Sequence, residues 1–586
     1  MSEQDSYSIQ KEHVSERPPV FPDEETYMLT RKFAAEYYLS LKKPLERSEF
    51  EDIASVGDLV GCVEKIVAER VRKAIPCLLE ETGYKSFASE TLVNVVGDRN
   101  FDAIDSKNEK EVFAGLGLAL VAERARTRMT AEVLKDLQPE ELMRFGMTPQ
   151  QRDILTLFLE GMTPTDPEFI RFKARAMSGK PYPERPADAL RESTRLANTL
   201  AKIRAVIEER GADTIFKEGD DAFLNYIAML GRSYNPTTQI GEPFTAAWRK
   251  RHANAVKNAF EQFLEKYPNF PLIVLPAMDS YIPFKEKIAH GFDPEIRLFW
   301  QSPDQQKRAK EIEPFVTRYA DTLRVAFPEH ISQQTAEDIG RIKPLIADEI
   351  GGFGINIGGF RVEAQRIGKG EAGNFFLFEN RLEKNTIAPA KNALRKVIGE
   401  KWNIIVDSPA FDELIRGRLI IHELGHSLYE HEEDALEDIE ELKADVVAYA
   451  TFHGVFGSYA REHFGENASI ALNLAMLGDP LSVYASSDPQ GEWRPYWVSS
   501  LTTLNLAREN GFIMHNEETG KVEFDDRALT KNMSQEIFSP YAGKILRIFN
   551  DVLAMKQPHP GVRQEITRVA TPQEHVLVKN LREQIK

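Results

Sequence analysis

Apolar residues recur at intervals of three and four positions over most of the chain, which is the spacing of the buried face of a helix. The pattern is most regular over residues 63–75, 109–129 and 304–326. Helical patterns also cover most of the segment from residue 385 to the carboxyl end of the chain. We therefore predict a protein that is built mainly of α-helices.

Three segments break this periodicity. Residues 269–276 and 375–378 are short β-branched or aromatic runs, and residues 351–360 are rich in glycine. The first two runs predict strands, and the third predicts an extended segment. Its glycines do not have the spacing of a nucleotide-binding loop. They indicate either a tight sheet edge, where only glycine fits, or a strand whose backbone closely approaches a ligand.

At 586 residues the chain exceeds the usual size of a single hydrophobic core. We expect an α+β fold, predominantly α-helical, with two lobes around a cleft. One lobe would be helical and would carry the candidate chemistry, and the other would contain a small mixed β-sheet or barrel. The expected regions are a disordered leader (1–24), a lower lobe (25–299 and 339–384), a helical catalytic lobe (300–338 and 385–530) and a carboxyl-terminal helical segment (531–586).

The composition limits the cellular compartments and the classes of binding partner that we expect. The net charge is −17, and no basic cluster offsets it, which argues against nucleic acid or an anionic membrane as the main partner. Two cysteines, Cys62 and Cys77, cannot form a disulfide framework and suit a reducing compartment. The amino-terminal segment lacks the apolar core of a secretory signal, and no stretch approaches the length of a membrane span. We expect a cytoplasmic monomer.

The strongest chemical signal is the sequence His422-Glu423-Leu424-Gly425-His426, an H-E-x-x-H pattern. On a helix the two histidines lie one turn apart on the same face, so both can bind one zinc ion. Glu423 then lies beside them as a candidate general base. We predict one Zn²⁺ per chain.

A catalytic zinc site requires a third protein ligand and one open position. Glu441 follows His426 by fifteen residues, which allows one helix to end and a second to return antiparallel. Asp445 is one turn further on and is expected to accept a hydrogen bond from a ligand histidine. Glu440 is the alternative ligand, and is otherwise expected beside the ligands. A plainer interpretation is an exposed helix with solvated acids, but the apolar residues before His422 argue against it.

Several segments together resemble one known family, the dipeptidyl peptidase III family of zinc exopeptidases. The resemblance covers about residues 268–530. The matching segments, in the family's order, are Asp279-Ser280-Tyr281, Gly354-Ile355-Asn356-Ile357, Phe411-Asp412 with the His422 motif, Glu440 to Asp445, and Trp493-Arg494.

The resemblance implies roles for these residues. His422, His426 and Glu441 would be the zinc ligands, and Glu423 would polarise the attacking water. Tyr281 would donate a hydrogen bond to the carbonyl oxygen as it becomes an oxyanion.

The resemblance also implies a binding surface for the amino-terminal end of a short peptide. Asn356 and Asp279 would hold that end, although the family has glutamate where this chain has Asp279. The strand around Gly354 would pair with the peptide backbone. Arg494 and Tyr496 would also contact the substrate.

The chain departs from the family pattern in four ways. The family has H-E-x-x-G-H with one additional residue, and a longer interval between the second histidine and the glutamate. Gly359 replaces a second asparagine of the family. No histidine follows the Trp493-Arg494 pair, where the family has a transition-state donor, so Tyr496, Arg494 and His453 are candidates for that role.

Taken together, these residues predict a zinc metallopeptidase that hydrolyses short peptides and releases dipeptides from their amino ends. One alternative keeps the zinc and the scaffold but acts on a non-peptide small molecule. Another is a catalytically silent protein that binds peptides through the glycine-rich edge. Glu423 argues against the silent protein, because a silent site does not need a base.

Overall fold

A computed structural model of the chain provides the fold. It describes residues 24–50, 53–84, 87–97, 109–162, 187–211, 215–216, 219–234, 259–260, 262–264, 266–276, 296–351, 359–362, 373–429, 436–487, 494–516, 521–554 and 560–585. The leader expected over residues 1–24 therefore lies, apart from Glu24, outside the described residues.

Helices dominate the described residues, as predicted. In the amino-terminal half they are α1 Glu24–Lys32, α2 Tyr38–Leu41, α3 Val56–Thr82, α4 Ser89–Gly97, α5 Glu109–Asp136, α6 Pro139–Arg144, α7 Pro149–Met162, α8 Ala187–Arg210 and α9 Asp220–Tyr234. In the remainder they are α10 Pro303–Ala326, α11 Gln333–Gly340, α12 Glu379–Leu382, α13 Ala388–Arg395, α14 Asn403–Val406, α15 Pro409–Gly425, α16 Glu437–Phe464, α17 Ala468–Ser486, α18 Arg494–Glu509, α19 Ser539–Ala554, α20 Pro560–Ala570 and α21 Val576–Ile585.

The strands form a five-stranded mixed sheet and a separate hairpin. They are β1 Leu272–Pro276, β2 Ile296–Trp300, β3 Lys343–Gly351, β4 Gly359–Val362, β5 Asn374–Phe378, β6 Ile513–Asn516 and β7 Lys521–Phe524. The sheet order is β1-β2-β3-β5-β4, in which β3 and β5 run parallel and the other pairs run antiparallel. The strands of the described part thus form an open sheet and not a barrel, and the α+β, mainly helical class is confirmed.

The sheet separates two hydrophobic cores. The first contains side chains of the amino-terminal helices, and the second contains side chains of the helices from α10 to α21. Successive side chains of a strand point to opposite faces, so the central strands contribute to both cores. In β5, Phe375 faces the second core and Phe376 the first, and Ile346 and Leu345 of β3 alternate in the same way. The lobe limits at residues 299, 338, 384 and 530 stay predictions.

Helices α15 and α16 pack against each other in the second core. Ser408 caps the amino end of α15, where its hydroxyl accepts a hydrogen bond from the Ala410 backbone, and Pro409 occupies the first turn. Gly425, the last residue of α15, lies so close to α16 that a Cβ there would be 2.9 Å from the carbonyl oxygen of Ala444. The glycine between the two histidines therefore permits the close approach of the helices.

The sequence did not predict every element. Strand β2, most of β3 and the β6–β7 hairpin were missed, and the hairpin lies in a region that was expected to be helical. No helix within the described ranges has the length and apolarity that a membrane span requires.

Candidate metal centre

Helices α15 and α16 run antiparallel and place the predicted ligands together. His422, on α15, contacts Glu441 and Asp445 on α16. One turn earlier on α15, Arg418 contacts Asp445 and Tyr449, which is one turn later on α16. This succession defines the antiparallel register of the two helices, which was predicted from the interval between His426 and Glu441.

Three ligand atoms form a nearly equilateral triangle. Nε2 of His422 and Nε2 of His426 are 3.2 Å apart. Oε2 of Glu441 lies 3.3 Å from the first of these atoms and 3.5 Å from the second. Ligands bound tetrahedrally at about 2.0–2.1 Å are separated by about 3.3–3.4 Å, so the triangle has the size that one zinc-like ion requires.

The other ring nitrogens fix the direction of these ligand atoms. Nδ1 of His422 lies 2.8 Å from Oδ1 of Asp445, and Nδ1 of His426 lies 3.1 Å from Oε1 of Glu440. An ionised carboxylate only accepts hydrogen bonds, so both Nδ1 atoms must donate. In the neutral imidazoles both Nε2 atoms therefore direct a lone pair towards Glu441.

This arrangement fits a cation. Oε2 of Glu441 is buried and has no hydrogen-bond partner among the described residues, since its contacts with the two imidazoles lack hydrogen-bond geometry. A buried carboxylate oxygen facing two lone pairs is unfavourable unless a positive charge lies between them. His422, His426 and Glu441 can accordingly hold a metal ion.

The pKa shifts in the metal-free site also indicate that it favours a positive charge. Burial disfavours the imidazolium forms, but Asp445 and Glu441 outweigh it and raise the pKa of His422 well above its ordinary value. The pKa of His426 rises to about 9, because the charge of Glu441 and the hydrogen bond with Glu440 outweigh burial. Burial likewise opposes charge on Glu441, but the two imidazoles hold the pKa of its carboxyl below its usual range. The site therefore attracts positive charge.

Glu423 differs from the other carboxylates of the site. Its side chain is buried, and burial raises the pKa of its carboxyl above the ordinary value. None of the described residues makes a hydrogen bond or an ion pair with this side chain. A carboxylate in this environment can bind a water molecule and take up a proton from it.

A network that the sequence did not reveal surrounds Asp445. Arg418 donates to Oδ1 of Asp445 at 3.1 Å and to Oδ2 of Asp479, on α17, at 2.6 Å. The hydroxyl of Ser499, on α18, donates to Oδ2 of Asp445 at 2.6 Å. Arg418 precedes His422 by one helical turn, so its spacing alone could have identified it. Asp479 and Ser499 carry no such signal.

Glu440 lies beside the ligands and is not one of the three atoms of the triangle. Its Oε1 accepts from His426 and, at 2.7 Å, from Nζ of Lys443. Lys443 is fully buried and also donates to the carbonyl of Leu428, just after the second histidine. The two carboxylates that accept from the Nδ1 atoms, those of Asp445 and Glu440, are thus each bound to a buried cation.

The structure describes only some of the remaining predicted site residues. Asp279, Tyr281, Gly354 and Asn356 lie outside the described residues. Arg494 donates to the carbonyl of Ala570, near the carboxyl end of α20.

Two further candidates for the transition-state donor, Tyr496 and His453, lie on α18 and α16. Tyr496 is partly buried in the first turn of α18, one turn before Ser499. His453 is on α16, where its Nε2 lies 2.9 Å from Oδ1 of Asn473. Asn473 is on α17, so this contact of His453 is with that helix and not with the three atoms of the triangle.

Comparisons with known proteins identify similar structures but no similar sequence. No family model and no curated protein matches the chain. The structure of DPP III from Caldithrix abyssi is similar over 94% of this chain and 97% of its own, with 12% sequence identity and a TM-score of 0.47. The dipeptidyl-peptidase III structure from Corallococcus sp. strain EGB is similar over 66% and 70%, with 12% identity and a TM-score of 0.39. Similarity at this level does not transfer residue roles, so those must come from the site itself.

Proposed function

We propose that the protein is a zinc-dependent peptidase that hydrolyses short peptides near their amino end. The observation that carries this proposal is the triangle of His422, His426 and Glu441. Glu423, next to His422 in the sequence, is buried and has no hydrogen bond or ion pair with the described residues. Three protein ligands leave one position for water or substrate, which is the arrangement of hydrolytic zinc sites.

Two imidazoles and one carboxylate form a ligand set that suits zinc best. Zinc in this site would lower the pKa of a water molecule towards about 7 and polarise the scissile carbonyl group. The remaining steps fall to the side chains of the chain.

Glu423 is the proposed general base. It takes the proton of the attacking water and then delivers it to the leaving amine. Burial supports this role, because the raised pKa of its carboxyl brings proton affinity closer to neutral pH. No described residue makes a hydrogen bond with its side chain, which leaves the carboxylate available for that water.

The proposed substrate is an extended peptide. Among the described strands, β4 is at the edge of the five-stranded sheet. Helix α15, which contains His422 and ends immediately before His426, contacts β4 and β5. A peptide added to that edge would bind through main-chain hydrogen bonds and pass close to the metal. From the family resemblance, Asp279 and Asn356 would hold its free amine, and Tyr281 would stabilise the oxyanion, a contribution of about 3 kcal/mol for one such donor in other enzymes.

Matched peptides with a free and an acetylated amino terminus test this function. We expect the zinc-loaded protein to release a dipeptide from the free pentapeptide and to leave the acetylated one largely intact, since acetylation removes the charge that Asp279 would bind. Equal cleavage of both peptides would refute recognition of the amino end. The same site would then be the active site of an endopeptidase.

The other two functions predict different results. A hydrolase of a non-peptide amide or ester binds zinc but cleaves neither peptide. A silent peptide-binding protein retains both peptides without turnover. Glu423, buried and without a partner among the described residues, is the observation that favours catalysis over silent binding.

A further inference from the structure

Asp445 is held on both of its carboxylate oxygens. Oδ1 accepts from Nδ1 of His422 and from Arg418, and Oδ2 accepts from the hydroxyl of Ser499 at 2.6 Å. A carboxylate bound through one oxygen can rotate about that contact. Because Ser499 binds the second oxygen, the plane of the Asp445 carboxylate is fixed.

The hydroxyl of Ser499 is committed to this contact. A serine inside a helix commonly donates to the carbonyl one turn earlier. In α18 the hydroxyl of Ser499 instead reaches Asp445, on α16, and the residue is fully buried. Three helices therefore meet in one chain of hydrogen bonds, from Ser499 through Asp445 to His422.

The second histidine has a different support. Glu440 uses the same oxygen, Oε1, for both His426 and Lys443, and its side chain is partly exposed. Asp445 is buried and binds through two oxygens. The orientation of His422 is therefore constrained by a buried carboxylate whose two oxygens are both bound.

We propose that Ser499 is a positioning residue for the metal site. By holding Oδ2 of Asp445, it fixes the ring of His422 in the orientation in which Nε2 faces the metal position. This inference rests on the proposed zinc site. Outer partners of metal ligands commonly change metal affinity by 10- to 100-fold when they are removed.

The test compares two adjacent serines on α18. Ser499→Ala removes the hydrogen bond to Asp445. Ser500→Ala removes the hydroxyl of the next residue, which is also buried. Zinc affinity is measured by competition with a chromogenic chelator. We expect Ser499→Ala to weaken zinc binding about tenfold and Ser500→Ala to leave it within about twofold of the unsubstituted protein.

Two further readouts separate positioning from general damage. Thermal unfolding of the metal-free variants shows whether both alanine substitutions destabilise the fold equally. The visible absorption spectrum of the Co²⁺-loaded protein reports ligand geometry, and we expect it to change in Ser499→Ala and not in Ser500→Ala.

The outcomes distinguish this inference from the proposed function. Suppose that the unsubstituted protein binds zinc and that both variants have the same zinc affinity and cobalt spectrum as that protein. This result would overturn the role of Ser499 and leave the zinc site intact. Failure of the unsubstituted protein to bind zinc would refute the site itself, and the role of Ser499 with it.

Discussion

Gly425 packs directly against the backbone of Ala444, where an added Cβ would lie 2.9 Å from the carbonyl oxygen and 3.0 Å from Cα. Gly425 is on α15 between His422 and His426, and Ala444 is on α16 between Glu441 and Asp445. This contact therefore sets the distance between the two halves of the ligand set.

Gly425→Ala should push the two helices apart. The new methyl group meets backbone atoms, which cannot rotate away, and overpacking of this kind typically costs about 1–3 kcal/mol. We expect a lower melting temperature and weaker zinc binding. Gly543→Ala is the matched control, because Gly543 lies in α19 with nothing within 4 Å of an added Cβ. That variant should be as stable as the unsubstituted protein or more so, by up to about 1 kcal/mol.

Glu423→Gln should separate metal binding from turnover. The glutamine retains the shape of the side chain but cannot take a proton from water, so we expect normal zinc content and a rate reduced by about 10²- to 10⁴-fold. Glu413→Gln, on an exposed position of the same helix, controls for the loss of a carboxylate. Normal turnover of zinc-loaded Glu423→Gln would show that another group is the base.

Zinc affinity should increase with pH up to about 9. In the metal-free protein the pKa of His426 is raised to about 9, and that of His422 is raised as well, so zinc must displace their protons at neutral pH. By the same linkage, the stability that the His426 imidazolium gives the metal-free fold is fully present below pH 6.5 and is lost as pH rises through about 9. Chelator competition between pH 6 and 9 measures the first effect. A pH-independent affinity would contradict the assignment of the imidazoles as ligands.

His453 should make the fold sensitive to acid. Burial lowers the pKa of its imidazole to about 4, so the folded state holds it neutral while the unfolded chain takes up a proton below about pH 6.5. The associated stability is present above pH 6.5 and is lost as pH falls through 4, by up to about 3 kcal/mol.

Denaturant unfolding of His453→Gln between pH 4 and 7 measures this loss. We expect the variant to lose less stability than the unsubstituted protein over that range. His463→Gln, at an exposed position of the same helix, controls for the loss of an imidazole. An identical pH dependence in His453→Gln and the unsubstituted protein would exclude the buried imidazole as its source.

Local spacing was sufficient to predict that His422, His426 and Glu441 lie together. The i, i+4 spacing of the histidines is a property of one helix, and the interval to Glu441 leaves room for one reversal of the chain. The contacts with Ser499 and Asp479 were not predictable in this way. They depend on how α17 and α18 pack on α16, and serine and aspartate occur throughout the chain without any pattern that indicates those contacts.

The missed strands have similar physical explanations. In β3, Asp348 and Glu349 are buried polar residues, and they hide the apolar pattern of the strand from the sequence. Strands β6 and β7 have four residues each and pack against the carboxyl-terminal helix α21. Such short strands carry little periodicity. The contact that stabilises the hairpin is with a helix distant in the sequence, so local patterns do not reveal it.

The most direct test of the central claim is mass spectrometry of the products from a pool of peptides four to eight residues long, with and without a chelator. Catalysis at the His422, His426 and Glu441 site predicts dipeptides released from the amino ends, suppressed by the chelator and restored by zinc. Products that form equally in the presence of the chelator, or no products from a protein confirmed to contain zinc, would contradict a zinc peptidase.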